Sequence, residues 1–234
     1  MSYSICSYIS SDNTDVLRVT LDSWIKSDCK DIHIFTDGPT NIPYHEKISV
    51  SKIFDQTSDV GTQYARKAES LIQLRTKIHS NIVMIDADCL LLKGLKDIFK
   101  KKFDVTVSIG AGVDPRKPFN NVSAGFVGVK HTMEGIRFVK DWVDEQRKNI
   151  RHKCRDQIAL SNILTKGYKN SSMIINPLYE LEINCYPLYN NQEHITNWIK
   201  KIEQNTHLIR IIHFAFQTWK NESLVKYLLS IPGV

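Results

Sequence analysis

The chain has no run of about eighteen consecutive apolar residues, so no transmembrane helix is expected from its sequence. Cysteine is scarce: Cys6, Cys29, Cys89, Cys154 and Cys185 are odd in number, and no two are spaced C-x-x-C. That spacing argues against a zinc site and against a complete disulfide framework, and it favours a reducing compartment. The opening residues MSYSICSYISSDN lack a basic segment followed by a long apolar one, so no signal peptide is expected. Under these readings the chain is soluble and cytoplasmic, or an excised soluble catalytic domain. The N-x-S triplets at Asn121, Asn170 and Asn221 are then incidental. There are no repeats, no low-complexity linker and no clear domain boundary. There is also no nucleic-acid motif and no dense basic stripe interleaved with aromatics, so no nucleic-acid partner is expected.

What is present describes an ordinary globular protein. The 234 residues suffice for a real core, and 42% are hydrophobic. The net charge of +6 suits an anionic ligand such as a nucleotide or phosphosugar without demanding one. The lysines at 100, 101 and 102 follow a segment read as helix, where cations suit the dipole.

One stretch organises the rest: residues 81–95, NIVMIDADCLLLKGL. An apolar, partly β-branched run of this length reads as a strand buried on both faces. It ends on Asp86 and Asp88, with Ala87 between them and a second apolar run at once after. Carboxylates at the end of a buried strand are costly unless something pairs with them. A hard divalent cation is one such partner. Ligand sites of open α/β sheets lie at the carboxyl ends of strands, which is where this D-x-D stands.

Periodicity and turn signals give the order of elements. Strands are expected over residues 4–10, 31–36, 48–53, 82–85, 104–109, 122–129 and 208–214. Helices are expected over 16–25, 61–80, 95–101, 133–148, 156–164, 198–204 and 222–229. The helix over 61–80 is expected to turn Tyr64, Ala68, Leu71, Ile72 and Leu74 inward. Asp37-Gly38-Pro39 is a turn, and residues 110–121, GAGVDPRKPFNN, form an irregular loop. Glycines 125 and 128 in the strand over 122–129 permit close approach of backbone or ligand. The alternation predicts an α/β sandwich.

Several patches, in order, resemble the GT-A fold glycosyltransferases that use nucleotide sugars. The closest likeness is to the group of glycogenin and the bacterial lipo-oligosaccharide galactosyltransferases, family eight in the usual classification. Residues 10–14, SSDNT, resemble the family's D-x-N-Y segment, and 62–72, TQYARKAESLI, its T-x-Y-x-R helix. Residues 81–99 resemble its D-x-D strand and the helix that follows, and VSAGFVGVK (122–130) its F-N-A-G block. Arg155-Asp156-Gln157-Ile158 resembles its D-Q pair, and His213-Phe214 its late histidine. Three departures stand out: Ser123 replaces an asparagine, Thr14 a tyrosine, and HFAFQTWK the motif H-x-x-G-x-x-K-P-W.

The resemblance implies a single GT-A domain over 1–234, with a mixed central sheet flanked by helices. Residues 1–110 would form the nucleotide-binding half and 111–234 the acceptor-side half. It implies transfer of a sugar from a nucleotide-diphosphate donor, a UDP-sugar, to a glycan or glycoconjugate, with retention of configuration rather than inversion. Asp86, Asp88 and His213 would hold Mn²⁺ or Mg²⁺ on the diphosphate; imidazole suits Mn²⁺ better. Arg66, with Lys67 as its alternative, and Lys220 would reach the diphosphate or sugar. Tyr8 would stack on the base, while Asp12 or Asn13 would read its edge. Ser123, Ala124 and Gly125 would line the sugar. Asp156 would bind its hydroxyls, and Gln157 would lie beneath the anomeric carbon. If the reaction inverts, Asp156 is the first candidate for the general base.

Two other readings differ in class. A haloacid-dehalogenase-type phosphatase would use Asp86 as nucleophile, but Leu90 stands where that group wants Thr or Val, and eighty-five residues precede the motif. A non-catalytic carbohydrate-binding protein on the same fold would keep the D-x-D and release no nucleotide from the donor. A sugar nucleotidyltransferase is disfavoured, since no Gly-rich basic loop follows the first strand.

Overall fold

The computed structural model describes residues 2–109, 118–148, 152, 154–170, 172–179, 182–184, 192–205, 207–214, 220 and 222–230. The strands are β1 Tyr3–Ile9, β2 Ile32–Thr36, β3 Ile48–Lys52, β4 Asn81–Ile85, β5 Cys89–Leu91, β6 Val105–Ile109, β7 Val122–Val129, β8 Ile175–Tyr179, β9 Glu182–Asn184 and β10 Ile211–His213. The helices are α1 Leu17–Lys26, α2 Val60–Arg75, α3 Met133–Lys148, α4 Arg155–Asn170, α5 Gln192–Gln204 and α6 Glu222–Ser230.

Among the described residues, seven strands form one mixed sheet in the order β3-β2-β1-β4-β7-β6-β8. β1 pairs in parallel with both β2 and β4, while β7 runs antiparallel between β4 and β6. The chain builds outward from β1 through β2 to β3, then crosses to the other side of β1 to make β4. The carboxyl ends of β1 and β4 therefore flank a topological switch point, where a crevice opens. A small second sheet, β5-β10-β9, sits beside this end. The mixed α/β architecture, with helices flanking the central sheet, is the one expected.

β4 is buried throughout its apolar run: Ile82, Val83, Met84 and Ile85 are all 0% exposed. Strand side chains alternate between faces. Accordingly, Ile82 and Met84 join the cluster that holds Leu71, Phe138, Trp142 and Leu160, while Val83 and Ile85 join the one that holds Leu21, Trp24 and Phe99. A third cluster packs β5 and β10 against α5 and α6 through Leu90, Ile212, Phe214, Ile202 and Leu228.

Several boundaries differ from expectation. Residues 95–101 form no α-helix, only a 3-10 turn at Ile98–Lys100. α2 stops at Arg75 rather than Ser80, because Thr76 and Lys77 close its last turn. α4 and α5 are longer than expected, β8 at Ile175–Tyr179 is not among the expected strands, and the strand expected at 208–214 shrinks to Ile211–His213. Tyr64 faces outward instead of inward and is 37% exposed. The helical stripe that is buried runs through Lys67, Leu71, Leu74 and Arg75. Most of the loop expected over 110–121 lies outside the described residues, as do Cys185 and residues 215–219; Pro118–Asn121 form a 3-10 turn.

Candidate functional site

At the carboxyl end of β4 the backbone turns sharply. The Asp86 amide donates to the Gly125 carbonyl at 3.1 Å, and the Cys89 amide donates to the Asp86 carbonyl at 3.0 Å. The Ala87 carbonyl accepts from the Thr20 hydroxyl at 2.7 Å, and that of Cys89 from the Trp24 indole at 2.7 Å. Asp86 and Asp88 thus ride on a turn fixed from β7 and from α1. β10 pairs antiparallel with β5 and sets His213 opposite Cys89; the Phe214 amide donates to the Asp88 carbonyl at 2.9 Å. This register delivers the imidazole. His213 Nε2 lies 3.2 Å from Asp88 Oδ1 and 3.5 Å from Asp86 Oδ2.

From the other side α2 contributes Lys67, whose ammonium is buried. It stands 2.8 Å from each carboxylate oxygen of Asp86 and 3.0 Å from Asp156 Oδ2. Asp156 lies in the first turn of α4, 4% exposed, with its carbonyl accepting from the Trp142 indole at 3.0 Å. Its carboxylate serves Lys67. Tyr64 lies over the same ammonium, 5.1 Å from ring centre to Nζ.

The electrostatics follow from burial. Burial raises the Asp86 carboxyl above its usual range, against the opposing pull of Lys67 and His213. Burial also presses on Asp88, but the His213 charge and hydrogen bond outweigh it and hold that carboxyl low. Burial disfavours the Lys67 charge, yet Asp156 and Asp86 overcome it and set its pKa well above the ordinary lysine value. The cluster holds three carboxylates and one ammonium, which pairs with Asp86 and Asp156 while Asp88 faces His213, so with a neutral imidazole it has two surplus negative charges. Asp86 Oδ1 is buried and, although beside Lys67, accepts no hydrogen bond. These donors fit a hard-to-borderline dication. Asp88, Cys89 and His213 also offer ligand atoms all within 4.8 Å of one another. Oxygen and imidazole are the better match to Mn²⁺ or Mg²⁺ than the Cys89 thiol.

The remaining expected residues are spread around this centre. Ser123 Oγ accepts from the Gly125 amide at 3.1 Å; Ala124 and Gly125 are buried against the D-x-D turn. Tyr8 is buried at the end of β1. Its ring meets Phe54 edge-on at 5.6 Å and its hydroxyl donates to Asp37 Oδ2 at 3.0 Å, so the ring is engaged in the core rather than bared to stack. Asp12 and Asn13 are exposed on a 3-10 turn, Ser11–Val16, and Gln56 Nε2 donates to Asp12 Oδ1 at 3.1 Å. Arg66 is half-buried, paired with Glu69 at 3.1 Å and seated 4.2 Å over the Phe54 ring. Gln157 is exposed beside Asp156, and Lys220 is exposed near the end of the chain.

Sequence reasoning gave Lys67 only as an alternative to Arg66 and did not single out Asp37 or Gln56. For Lys67 a signal existed: counting from Leu71 and Leu74 at helical spacing puts position 67, not 66, on the buried stripe. Asp37 and Gln56 carry no comparable signal, since their roles depend on how two loops meet.

A model of the family described as nucleotide-diphospho-sugar transferase matches residues 13–227. No curated protein matches the chain. Among solved structures, the chain is similar in fold to the crystal structure of a glycosyltransferase involved in the glycosylation of the major capsid of PBCV-1. The TM-score is 0.62 at 8% sequence identity, over 97% of this chain and 100% of that one. The likeness bears on fold alone; the family match spans the D-x-D turn, Lys67, the Asp156-Gln157 pair and His213. The chain belongs to the nucleotide-diphospho-sugar transferase family and is a glycosyltransferase.

Proposed function

We propose that the protein transfers a sugar from a UDP-sugar to a glycan or glycoconjugate acceptor, with divalent-cation assistance and retention of configuration, in the manner of the glycogenin and lipo-oligosaccharide galactosyltransferase group. The observation that carries this reading is the convergence of Asp86, Asp88 and His213 at the switch point of the sheet. These three residues would hold Mn²⁺ or Mg²⁺. Bound there, the ion supplies Lewis-acid stabilisation to the diphosphate leaving group.

The protein's own groups have separate tasks. Lys67 holds the Asp86 and Asp156 carboxylates in one arrangement, so that the group gripping the diphosphate end and the group facing the sugar are aligned together. Ser123, Ala124 and Gly125 give the sugar a small, close wall. Asp12 or Asn13 reads the base edge, and Arg66 or Lys220 steadies the diphosphate. Gln157 sits beneath the anomeric carbon. A glutamine is a poor nucleophile, so the acceptor attacks on the face the diphosphate leaves, and the departing phosphate takes its proton. Retention rather than inversion is part of the same reading; if the reaction inverted, Asp156 would be the first candidate for the general base. The nucleotide-side and acceptor-side halves, 1–110 and 111–234, are part of the same reading. A cytoplasmic setting is part of the same reading, on the odd number of cysteines and their lack of C-x-x-C spacing.

A thermal-shift panel of nucleotide sugars with and without Mn²⁺ tests the proposal. UDP-sugars are expected to raise Tm only with the metal. A rise with no UDP-sugar under either condition would overturn the reading. Slow metal-dependent release of UDP without acceptor is the expected companion result, and its absence would favour a non-catalytic binder.

A further inference from the structure

The end of the sheet opposite the carboxylate cluster carries a pair of histidines that the transferase reaction does not use. His79 lies between α2 and β4, and His131 between β7 and α3. Both are exposed. The two rings share a hydrogen bond between Nδ1 of His79 and Nε2 of His131 at 3.2 Å, with ring centroids 4.9 Å apart and planes at 89°. Seven residues of largely extended chain separate His79 from Asp86, on the order of 20 Å.

The backbone explains why the rings meet. β4 and β7 pair antiparallel with Ile82 opposite Val129, so the chain before β4 and the chain after β7 leave the ladder side by side. Continued past the ladder, that register sets Ser80 opposite His131, with His79 one residue further on. The buried Arg75 guanidinium then ties the two exits together: it donates to the Ser80 carbonyl at 2.7 Å and to the Val129 carbonyl at 3.1 Å. Asn81 adds a second link, accepting from the His131 amide at 3.4 Å and donating to the Ser2 carbonyl at 3.2 Å. The histidine backbones are thus held in place from beneath.

We infer that His79 and His131 form a two-imidazole chelate for a borderline transition-metal dication such as Zn²⁺, separate from the donor-diphosphate site. Zn–N bonds of about 2.0–2.1 Å at a near-tetrahedral angle place two ligand nitrogens roughly 3.0–3.4 Å apart, and the observed spacing falls within that span. Imidazole nitrogen selects Zn²⁺, Ni²⁺ and Cu²⁺ over Mg²⁺ and Ca²⁺. Water completes the coordination shell, since the pair is open to solvent. A bound ion would clip the start of β4 to the end of β7 and stabilise the fold by mass action.

Calorimetric titration of the untagged chain with Zn²⁺ tests this, using Asp88→Ala as the parent so that the carboxylate cluster does not compete. A chelate makes the two histidines act as one unit. His79→Ala and His131→Ala are each expected to weaken the same binding event at least tenfold, and the double variant to weaken it no further than either single one. Zn²⁺ is expected to raise Tm in the parent and in neither variant. Both histidines are exposed, so both variants fold, which matching melts without metal verify. Binding unchanged in either single variant, or additive losses from two independent histidines, would overturn the inference.

Discussion

At the centre of the site one ammonium stands between two carboxylates, and its removal leaves Asp156 buried without its lysine and Asp86 with His213 at 3.5 Å. Lys67→Met is therefore expected to destabilise the protein by about 3–5 kcal/mol, read as a fall in the urea midpoint, and Lys67→Arg by less. His213→Ala is expected to keep the fold and to weaken Mn²⁺ binding more than Mg²⁺ binding, because an imidazole ligand favours the softer ion; equal losses in a metal titration would count against His213 as a ligand. Asp37 supplies a pH test away from the metal. Burial acts to raise its carboxyl, but hydrogen bonds from the Ser11 amide and the Tyr8 hydroxyl prevail and hold it below the usual range. A depressed folded-state pKa means that its stabilisation is fully present above the unfolded value, about 3.9, and is lost as pH falls through the folded one. Asp37→Asn should flatten stability against pH below about pH 4, measured by denaturant melts. D-x-D and the late histidine were legible from type and position. Asp37 was visible only as part of a turn, since nothing local says that its carboxylate turns inward to Tyr8.

Elements whose pattern was strongly periodic fell where the sequence placed them, β7 and α3 to the residue. β7 is pinned by burial on both faces and α3 by packing on one, and local chemistry fixes their joint: Thr132 Oγ1 accepts from the Gly135 amide at 3.1 Å and donates to Asp104 Oδ1 at 2.7 Å. Gly135 is a case where propensity points the wrong way. Alanine in a helix is usually about 1 kcal/mol better than glycine, but a Cβ at 135 would lie 2.3 Å from the Lys130 carbonyl oxygen. Gly135→Ala is thus expected to lower Tm; a rise would show that the β7–α3 joint yields. The long helices α2 and α4 were found but misjudged in their bounds, and the expected helix that is absent was a short one. The 95–101 segment has helical spacing, yet the Leu95 and Lys96 amides are held by the Asp28 carboxylate, a partner 67 or 68 positions away. Such tertiary capture leaves no trace in a local window.

At the scale of the whole molecule, the strand order decides where chemistry sits. β1 to β3 grow to one side and β4 opens the other, so the D-x-D turn is placed at the switch point, while the second sheet brings His213 back from more than a hundred residues away. The alternation of strands and helices was readable, and so was the family likeness. The antiparallel insertion of β7 between β4 and β6 was not, because pairing partners are chosen by tertiary packing rather than by any one strand's composition. That insertion presses Gly125 against Asp86 and gives the site its small-residue wall. The central claim is that the carboxylates at this switch point grip a cation on a nucleotide diphosphate. Calorimetry of UDP-sugars with Mn²⁺ against wild type and Asp88→Ala tests it most directly. Metal-dependent binding is expected in the wild type and none in the variant, at unchanged far-UV circular dichroism; undiminished binding by Asp88→Ala would contradict the account.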